Sequence, residues 1–298
     1  MPERTQTERT PQGAQTARAT QGAQTARTLR RRAPGLILIA AAALYSVVPL
    51  LSMVSAALAP QGTFPSGLSW PSDPHWHNFV DAWNVANITI LLKSSTLIVL
   101  GVVPVAVLIS TMAAYAIAVL EIPLGRVFYV VLVMTLTLPY EIVIVPLYEQ
   151  TKAMGLLGSQ WALILPLIGM NMPFAVFWMR AHFAGVPREL SEAAGIDGAG
   201  PWRALFHIHL PLARPAIASL ALLMFLSTWN QFLLALVLID DPDKRTMAGA
   251  LQAFTTKYAT DQVLLNAGAL LIMAPTILVF LFLQRHFVKA LLQGSVKG

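Results

Sequence analysis

The chain has 298 residues, of which 56% are hydrophobic and only 11% charged, and its formal net charge is +6. A soluble domain normally carries about a quarter charged residues, so this composition excludes a surface that faces mainly water and points to a membrane. The absence of cysteine excludes disulfides, thiolate metal sites and a thiol nucleophile.

A basic, polar segment occupies residues 1–33. It holds seven arginines, and the heptapeptide QGAQTAR occurs in it twice, at residues 12–18 and 21–27. Because few of its residues are apolar enough to be buried, we predict that this segment is disordered. Arginines directly before a first apolar segment hold that end of a chain in the cytoplasm, and binding of nucleic acid is the alternative use of a basic tail. We favour the topological role and expect no nucleic-acid partner.

Apolar stretches long enough to cross a bilayer, which takes about 20 residues, recur along the rest of the chain. They lie at residues 33–58, 91–119, 127–147, 161–183, 214–239 and 263–284. We therefore predict an all-α membrane protein with six transmembrane helices. The expected organisation is a disordered basic tail (1–33), a transmembrane domain (34–285) and a short C-terminal tail (286–298).

Lysine and arginine are distributed unevenly around these spans. If the N-terminus lies inside, fifteen of the 20 lysines and arginines fall on the inner side. The outer side holds Lys93, Lys152, Lys244, Arg245 and Lys257. This bias predicts that both termini lie in the cytoplasm. The outer loop over residues 59–90 then carries several tryptophans, which indicate either an aromatic belt at the membrane interface or a docking surface for an external partner.

A polar segment from Pro187 to Pro211 lies between the fourth and fifth spans, on the predicted cytoplasmic side. Pro187 suits the start of a helix, the glycines within residues 197–200 break it, and Pro201 suits the start of a second helix. We expect Pro211 to end the second helix before the membrane. Composition alone leaves open whether this helix–turn–helix is an ordinary amphipathic hairpin or a docking element for another protein.

The residues of this segment resemble the EAA loop of permease subunits of ATP-binding cassette (ABC) importers. That motif reads Glu-Ala-Ala, three residues, Gly, nine residues and then Ile-x-Leu-Pro, and every fixed position is present at this spacing. The matching residues, with the aspartate before the glycine, are Glu192, Ala193, Ala194, Asp197, Gly198, Ile208, Leu210 and Pro211. The resemblance implies a coupling helix that docks in a cleft of the ATP-binding subunit, with Glu192 contacting that subunit and Gly198 forming the turn.

Further stretches resemble the maltose-type carbohydrate permeases, from residue 34 to the C-terminus. They are residues 113–116, 146–148, 155–156, 229–232 and 284–298. The resemblance implies a subunit of the bacterial plasma membrane that forms, with a second permease, the pathway for a sugar. It also implies an extracytoplasmic sugar-binding protein and a dimer of ATP-binding subunits that hold ATP and Mg²⁺, so that this chain needs no cofactor. The tail with Ser295, Lys297 and Gly298 is implied to insert between the two ATP-binding subunits.

Polar residues inside the predicted spans are candidates for the cargo path. Trp229, Asn230 and Gln231 combine an aromatic face with amides, which suits sugar rings and hydroxyls, although amides also hold membrane helices together. Glu141 is an acidic residue well inside a predicted span, where such residues are functional by default, and we expect it to face water near the outer end. Many relatives have glutamate where this chain has Gln231, so the resemblance leaves the exact substrate open.

The sequence lacks the motifs of a catalytic site. No lysine follows a glycine, so there is no Walker A phosphate loop, and no His-Glu-x-x-His zinc motif occurs. We therefore predict no catalytic residues, no metal ligands and ATP hydrolysis by a partner.

Glycerol 3-phosphate or another polyol is the alternative cargo, although an anion would need basic residues in spans that hold almost none. A stand-alone secondary transporter is disfavoured because only Glu141 hints at its usual buried ionisable groups.

Overall fold

Helices make up most of the part of the chain that the structure describes. The structure is a computed structural model that describes the backbone of residues 11–255 and 260–295 and the side chains of residues 34–255 and 260–284. Within them the α-helices are α1 (Pro11–Ala57), α2 (Asn78–Val85), α3 (Ile88–Ala118), α4 (Gly125–Thr135), α5 (Ile144–Ala153), α6 (Trp161–Phe183), α7 (Arg188–Ile196), α8 (Pro201–Ala204), α9 (Leu210–Trp229), α10 (Leu233–Leu238) and α11 (Gln262–Ser295). The extended backbone in these ranges pairs only as an isolated bridge between Thr255 and Thr260, and the all-α prediction is confirmed.

Several of these helices are long and apolar enough to cross a membrane. Within the described ranges, five qualify: Pro34–Ala57, Ile88–Ala118, Trp161–Phe183, Pro201–Trp229 and Gln262–Gln284. A bent pair, Gly125–Thr135 with Tyr140–Ala153, adds a sixth if it is taken as one broken span. The side chains of residues 34–51 on α1 are almost all exposed although they are mostly apolar, as expected of a helix that faces lipid. The prediction of six membrane helices is therefore confirmed as five to six candidate segments.

The third predicted span, residues 127–147, is broken in the structure. α4 ends at Thr135, a 3₁₀ turn covers Tyr140–Val143, and the two halves are bent by 94°. Pro139 has extended backbone angles, φ −64° and ψ 128°, directly before the turn. Proline has no N–H for the helical ladder and disfavours helical geometry in the residue before it, which accounts for the break. Glu141 consequently lies in an exposed turn and not within a continuous helix.

The fifth predicted span, residues 214–239, is shifted and interrupted. The helical rod runs continuously over Pro201–Trp229, and α10 follows after a break at residues 230–232. The prediction that Pro211 ends the second helix is wrong. A π-helical turn over Leu205–His209 precedes Pro211, and in it the Leu210 N–H donates to the Leu205 carbonyl, five residues back. The helix therefore continues through Pro211, which has no N–H to donate.

The structure describes both predicted tails only in part. α1 begins at Pro11, so its backbone is helical over residues 11–33, where alanine, glutamine and arginine are strong helix formers. Residues 1–10 lie outside the described residues. At the other terminus α11 continues the last span to Ser295, and Lys297 and Gly298 lie outside the described residues.

The bundle has two ends, which we call the α7 end and the opposite end. At the α7 end, Tyr115 of α3, Phe183 of α6 and Leu205 belong to one buried cluster with residues of α9. At the opposite end, Trp229 and Phe254 are buried with residues of α2, α3 and α11. The predicted coupling segment and the predicted cargo-path residues are therefore associated with different buried clusters.

Candidate functional site

The α7–α8 hairpin has the local geometry that its sequence requires. Pro187 is extended and precedes α7, and Pro201 is the first residue of α8. Between the helices, Gly198 has φ +74°, its N–H donates to the Gly195 carbonyl at 3.1 Å, and the Ala199 N–H donates to the Ala194 carbonyl at 2.9 Å. This left-handed backbone conformation is one that glycine adopts without a steric penalty.

One face of the hairpin is exposed. Glu192, Ala193 and Asp197 are exposed, whereas Ala194 is buried against the bundle. Large apolar side chains on the hairpin and on the π-helical turn that follows it are also exposed: Leu190, Ile196, Trp202 and Phe206. Ile196 is 88% exposed, and the Trp202 and Phe206 rings stack with their centroids 6.3 Å apart. A group of exposed apolar side chains beside a carboxylate is typical of a protein-docking surface.

The other face of the hairpin is held by side chains from the bundle. The Ser191 hydroxyl and His209 Nε2 are hydrogen-bonded at 3.1 Å, and the Tyr115 hydroxyl donates to the Pro201 carbonyl at 3.0 Å. The Tyr115 and His209 rings lie 5.1 Å apart, and Phe183 packs at 6.0 Å from each. α8 is therefore bonded directly to α3 and α7 to the π-helical turn, and Phe183 of α6 packs against both side chains that make these bonds.

A polar cavity of about 210 Å³ lies beside this contact. Its lining includes Glu121, Arg188, Ser191, Glu192 and His209. Arg188 of α7 forms an ion pair with Glu121, which follows α3. Glu192 therefore borders both the exposed surface of the hairpin and the space between the hairpin and the bundle.

The remaining residues of the EAA-like motif lie where the hairpin joins the membrane helix. Ile208 is half-buried in the π-helical turn, Leu210 packs against the buried cluster of the α7 end, and Pro211 is exposed in the first turn of α9. The EAA-like motif fixes neither Ser191 nor His209, and Tyr115 belongs only to residues 113–116, which resemble the carbohydrate permeases. Nothing in a linear pattern shows that these three side chains meet.

The structure separates the predicted cargo-path residues into two environments. Trp229 is only 3% exposed, stacks on Phe225 at 5.4 Å, and donates its indole N–H to the Ile272 carbonyl at 3.4 Å. Its ring is therefore part of the core in this conformation. Asn230 is exposed at the break after α9, and its amide donates to the Leu226 carbonyl at 2.9 Å.

Gln231 and Glu141 complete the predicted set. The Gln231 side-chain oxygen accepts from the Leu234 N–H at 3.4 Å, so it helps to begin α10. Glu141 is exposed in the other helix break. Among the described residues, no hydrogen bond or ion pair joins Glu141 to Asn230 or Gln231. The two breaks thus carry separate polar positions.

Comparison with known proteins identifies a family match. The model of the family "Binding-protein-dependent transport system inner membrane component" matches residues 106–293. The diacetylchitobiose uptake system permease protein NgcG of Streptomyces coelicolor is 34% identical over 254 residues, which cover 84% of each chain. The arabinooligosaccharides transport system permease protein AraQ of Halalkalibacterium halodurans is 33% identical, with 86% of this chain and 93% of that protein covered.

Two further relatives extend this comparison. The trehalose transport system permease protein SugB of Mycobacterium tuberculosis is 33% identical, with 85% of this chain and 93% of that protein covered. A crystal structure of a bacterial ABC transporter involved in the import of the acidic polysaccharide alginate contains a chain with the same fold. The TM-score is 0.72 at 20% identity, and the match covers 88% of this chain and 98% of that chain.

Proposed function

Because the chain belongs to the family of binding-protein-dependent transport system inner membrane components, we propose that it is a permease subunit of an ABC importer for a di- or oligosaccharide. The observation that carries the cargo class is the set of relatives matched over most of their length. Their names specify diacetylchitobiose, arabinooligosaccharides and trehalose. Glycerol 3-phosphate or another polyol is the alternative cargo.

The proposed assembly assigns the energy-yielding step to other chains. A second permease would complete the pathway, an extracytoplasmic binding protein would deliver the sugar, and a dimer of ATP-binding subunits would hold ATP and Mg²⁺. The missing Walker A loop supports this division. The excess of arginine and lysine on one side supports placing both termini and the α7 end in the cytoplasm of a multi-pass bacterial membrane protein.

The α7–α8 hairpin is the proposed coupling element to the ATP-binding subunits. Glu192, Asp197 and the exposed apolar side chains would dock there, while Ser191 and the Pro201 carbonyl are bonded to the bundle. Force on the exposed face would thereby reach α3 through Tyr115 and α9 through His209. Ser295 at the end of α11, and Lys297 and Gly298 after it in the sequence, are proposed to contact the ATP-binding dimer.

The test of this function is reconstitution of the complete transporter. We expect this chain to co-purify with a second permease and an ATP-binding subunit, and a panel of di- and oligosaccharides with their binding protein to stimulate ATP hydrolysis. Stimulation by glycerol 3-phosphate alone would establish the alternative cargo. Uptake by this chain alone in sealed vesicles, driven by an ion gradient, would contradict the importer assignment.

Replacing two adjacent residues should separate cargo recognition from folding. We expect Asn230→Ala to change the apparent KM for the sugar several-fold, because one hydrogen bond between the Asn230 amide and the sugar would contribute about 1 kcal/mol. We expect Trp229→Ala to lower the melting temperature instead, because loss of a buried aromatic side chain costs about 3–5 kcal/mol. Transport kinetics in sealed vesicles measure the first effect, and thermal unfolding of the detergent-solubilised complex measures the second. An unchanged KM in Asn230→Ala would remove that residue from the path.

A further inference from the structure

A cluster of buried hydroxyl groups joins the break after α9 to the loop over residues 244–254 and to α3. The Thr246 hydroxyl donates to the Gln231 carbonyl at 2.5 Å, and the Met247 N–H donates to the Ser95 hydroxyl oxygen at 2.6 Å. Thr246 is fully buried and Ser95 is 1% exposed. These two hydrogen bonds connect segments that are far apart in the chain and meet beside residues 230–232.

A second pair of hydrogen bonds braces the same junction. The Ser94 hydroxyl donates to the Lys244 carbonyl at 2.6 Å, and the Gln160 amide, directly before α6, donates to the Ser94 oxygen at 2.9 Å. Arg245 holds the loop internally, since its Nε donates to the Ile239 carbonyl at 2.8 Å. The start of α3, the start of α6 and the loop therefore form one hydrogen-bonded unit.

The far end of this loop is anchored by apolar packing. Phe254 is 4% exposed, and its ring fills a notch in α11 at Gly268. A Cβ atom at Gly268 would lie 2.4 Å from the Phe254 ring. The loop over residues 244–254 thus has one end set by close packing and the other set by hydroxyl hydrogen bonds to the helix break.

The break after α9 needs such a support because it interrupts a helix. The Gln231 carbonyl lies between the end of α9 at Trp229 and the start of α10 at Leu233, so neither helix supplies its donor, and a carbonyl shielded from water requires one from elsewhere. Thr246 supplies the hydrogen bond to the Gln231 carbonyl. Without this donor, the backbone at residues 230–232 would have to move to find another partner, and the exposed Asn230 would move with it.

We propose that Thr246 and Ser95 are positioning residues of the cargo path. They hold the break after α9 so that Asn230 and Gln231 are presented in one fixed geometry. This inference rests on the proposed function for its effect on transport. Its structural part, control of the break by two hydroxyls, can be measured without any cargo.

Transport kinetics test the functional part. Thr246→Val keeps the shape of the side chain and removes the donor, Thr246→Ser keeps the donor, and Ser95→Ala removes the acceptor for Met247. Thr96→Val is the matched control, because Thr96 is exposed on α3 and its hydroxyl donates to Leu92 of the same helix at 2.7 Å. We expect a several-fold rise in the apparent KM for sugar in Thr246→Val and Ser95→Ala, and wild-type values in Thr246→Ser and Thr96→Val.

Cysteine labelling tests the structural part, since the chain has no cysteine of its own. Asn230→Cys is introduced into each background, and its reaction with N-ethylmaleimide is followed in the detergent-solubilised complete transporter. We expect labelling several-fold faster with Thr246→Val or Ser95→Ala than with Thr96→Val, at equal protein yield. Equal rates in all backgrounds would overturn the proposal.

The two readouts separate this inference from the proposed function. Faster labelling of the cysteine at position 230 in Thr246→Val and Ser95→Ala would support the positioning role even if the transporter moves no sugar. Absence of sugar transport would contradict the proposed cargo class and not the positioning role. If Thr246→Val fails to reach the membrane, Ser95→Ala decides the question by the same labelling comparison. We expect the wild-type labelling rate in Thr246→Ser, which keeps the hydroxyl. If Thr246→Val acted only by a general loss of stability, removal of the methyl group in Thr246→Ser would also be expected to raise the labelling rate.

Discussion

Gly198→Pro and Glu192→Ala should each uncouple ATP hydrolysis from transport while leaving the membrane bundle folded. Gly198 has φ +74°, which proline cannot adopt, and its N–H donates to the Gly195 carbonyl. Because the proline ring fixes φ at about −65°, the turn must rearrange and redirect α8. Glu192 is exposed in the middle of α7, so its loss removes a proposed contact with a partner and not a contact of the core.

The measurements are retention of the ATP-binding subunits on the purified permease pair and the number of ATP molecules hydrolysed per sugar transported. Gly155→Pro is the matched control for the turn, since Gly155 has φ +68° and donates to the Lys152 carbonyl, but lies between α5 and α6. Glu149→Ala is the control for the carboxylate, because Glu149 is exposed on α5. Normal coupling in Gly198→Pro and Glu192→Ala would show that the hairpin does not transmit the ATP cycle.

Gly268→Ala should destabilise the bundle more than any other glycine-to-alanine change in a described membrane helix. Its Cβ would lie 2.4 Å from Phe254 Cε2 and 2.7 Å from Cζ, and the Phe254 ring is buried. Overpacking of a core costs about 1–3 kcal/mol. Because Phe254 also anchors the loop over residues 244–254, we expect slower transport together with a lower melting temperature.

Two other helical glycines complete a graded series for this prediction. At Gly101 the added Cβ would meet the flexible end of Ile164, Cδ1 at 2.9 Å, and at Gly169 it would meet nothing within 4 Å. We expect a small loss of stability in Gly101→Ala and a gain of up to about 1 kcal/mol in Gly169→Ala from helix propensity. Adding Phe254→Leu to Gly268→Ala removes the clashing ring atoms and should restore part of the melting temperature. The same loss of stability in all three single variants would contradict the close packing of Phe254 against Gly268.

The sequence by itself determined the class of the molecule and the position of the α7–α8 hairpin. Hydropathy adds up along a segment, so the long apolar runs in α3, α6 and α11 identify membrane helices without knowledge of their neighbours. The hairpin was equally readable, because the requirements of Pro187, Gly198 and Pro201 are set by the local backbone.

Only the tertiary structure decided that the helix breaks at Pro139 but continues through Pro104 and Pro275, and which way the polar residues of the helices face. The hydropathy of the sequence does not mark the breaks near Pro139 and Asn230, because the residues on both sides of each break are mostly apolar. Trp229 and Asn230 are neighbours in the chain, yet one is buried against Ile272 and the other is exposed. The direction of a side chain depends on where its helix turns and on what packs there.

The hydroxyl cluster at the opposite end shows the same limit most clearly. Ser95 and Met247 are 152 residues apart in the chain, and Ser191 and His209 meet only because the hairpin folds back on the π-helical turn. A serine or threonine has the same local preferences whether its hydroxyl bonds its own helix, as in Thr96, or a distant carbonyl, as in Thr246. Hydrogen-bond partners are chosen by proximity in space, and proximity between distant segments arises only when the helices pack.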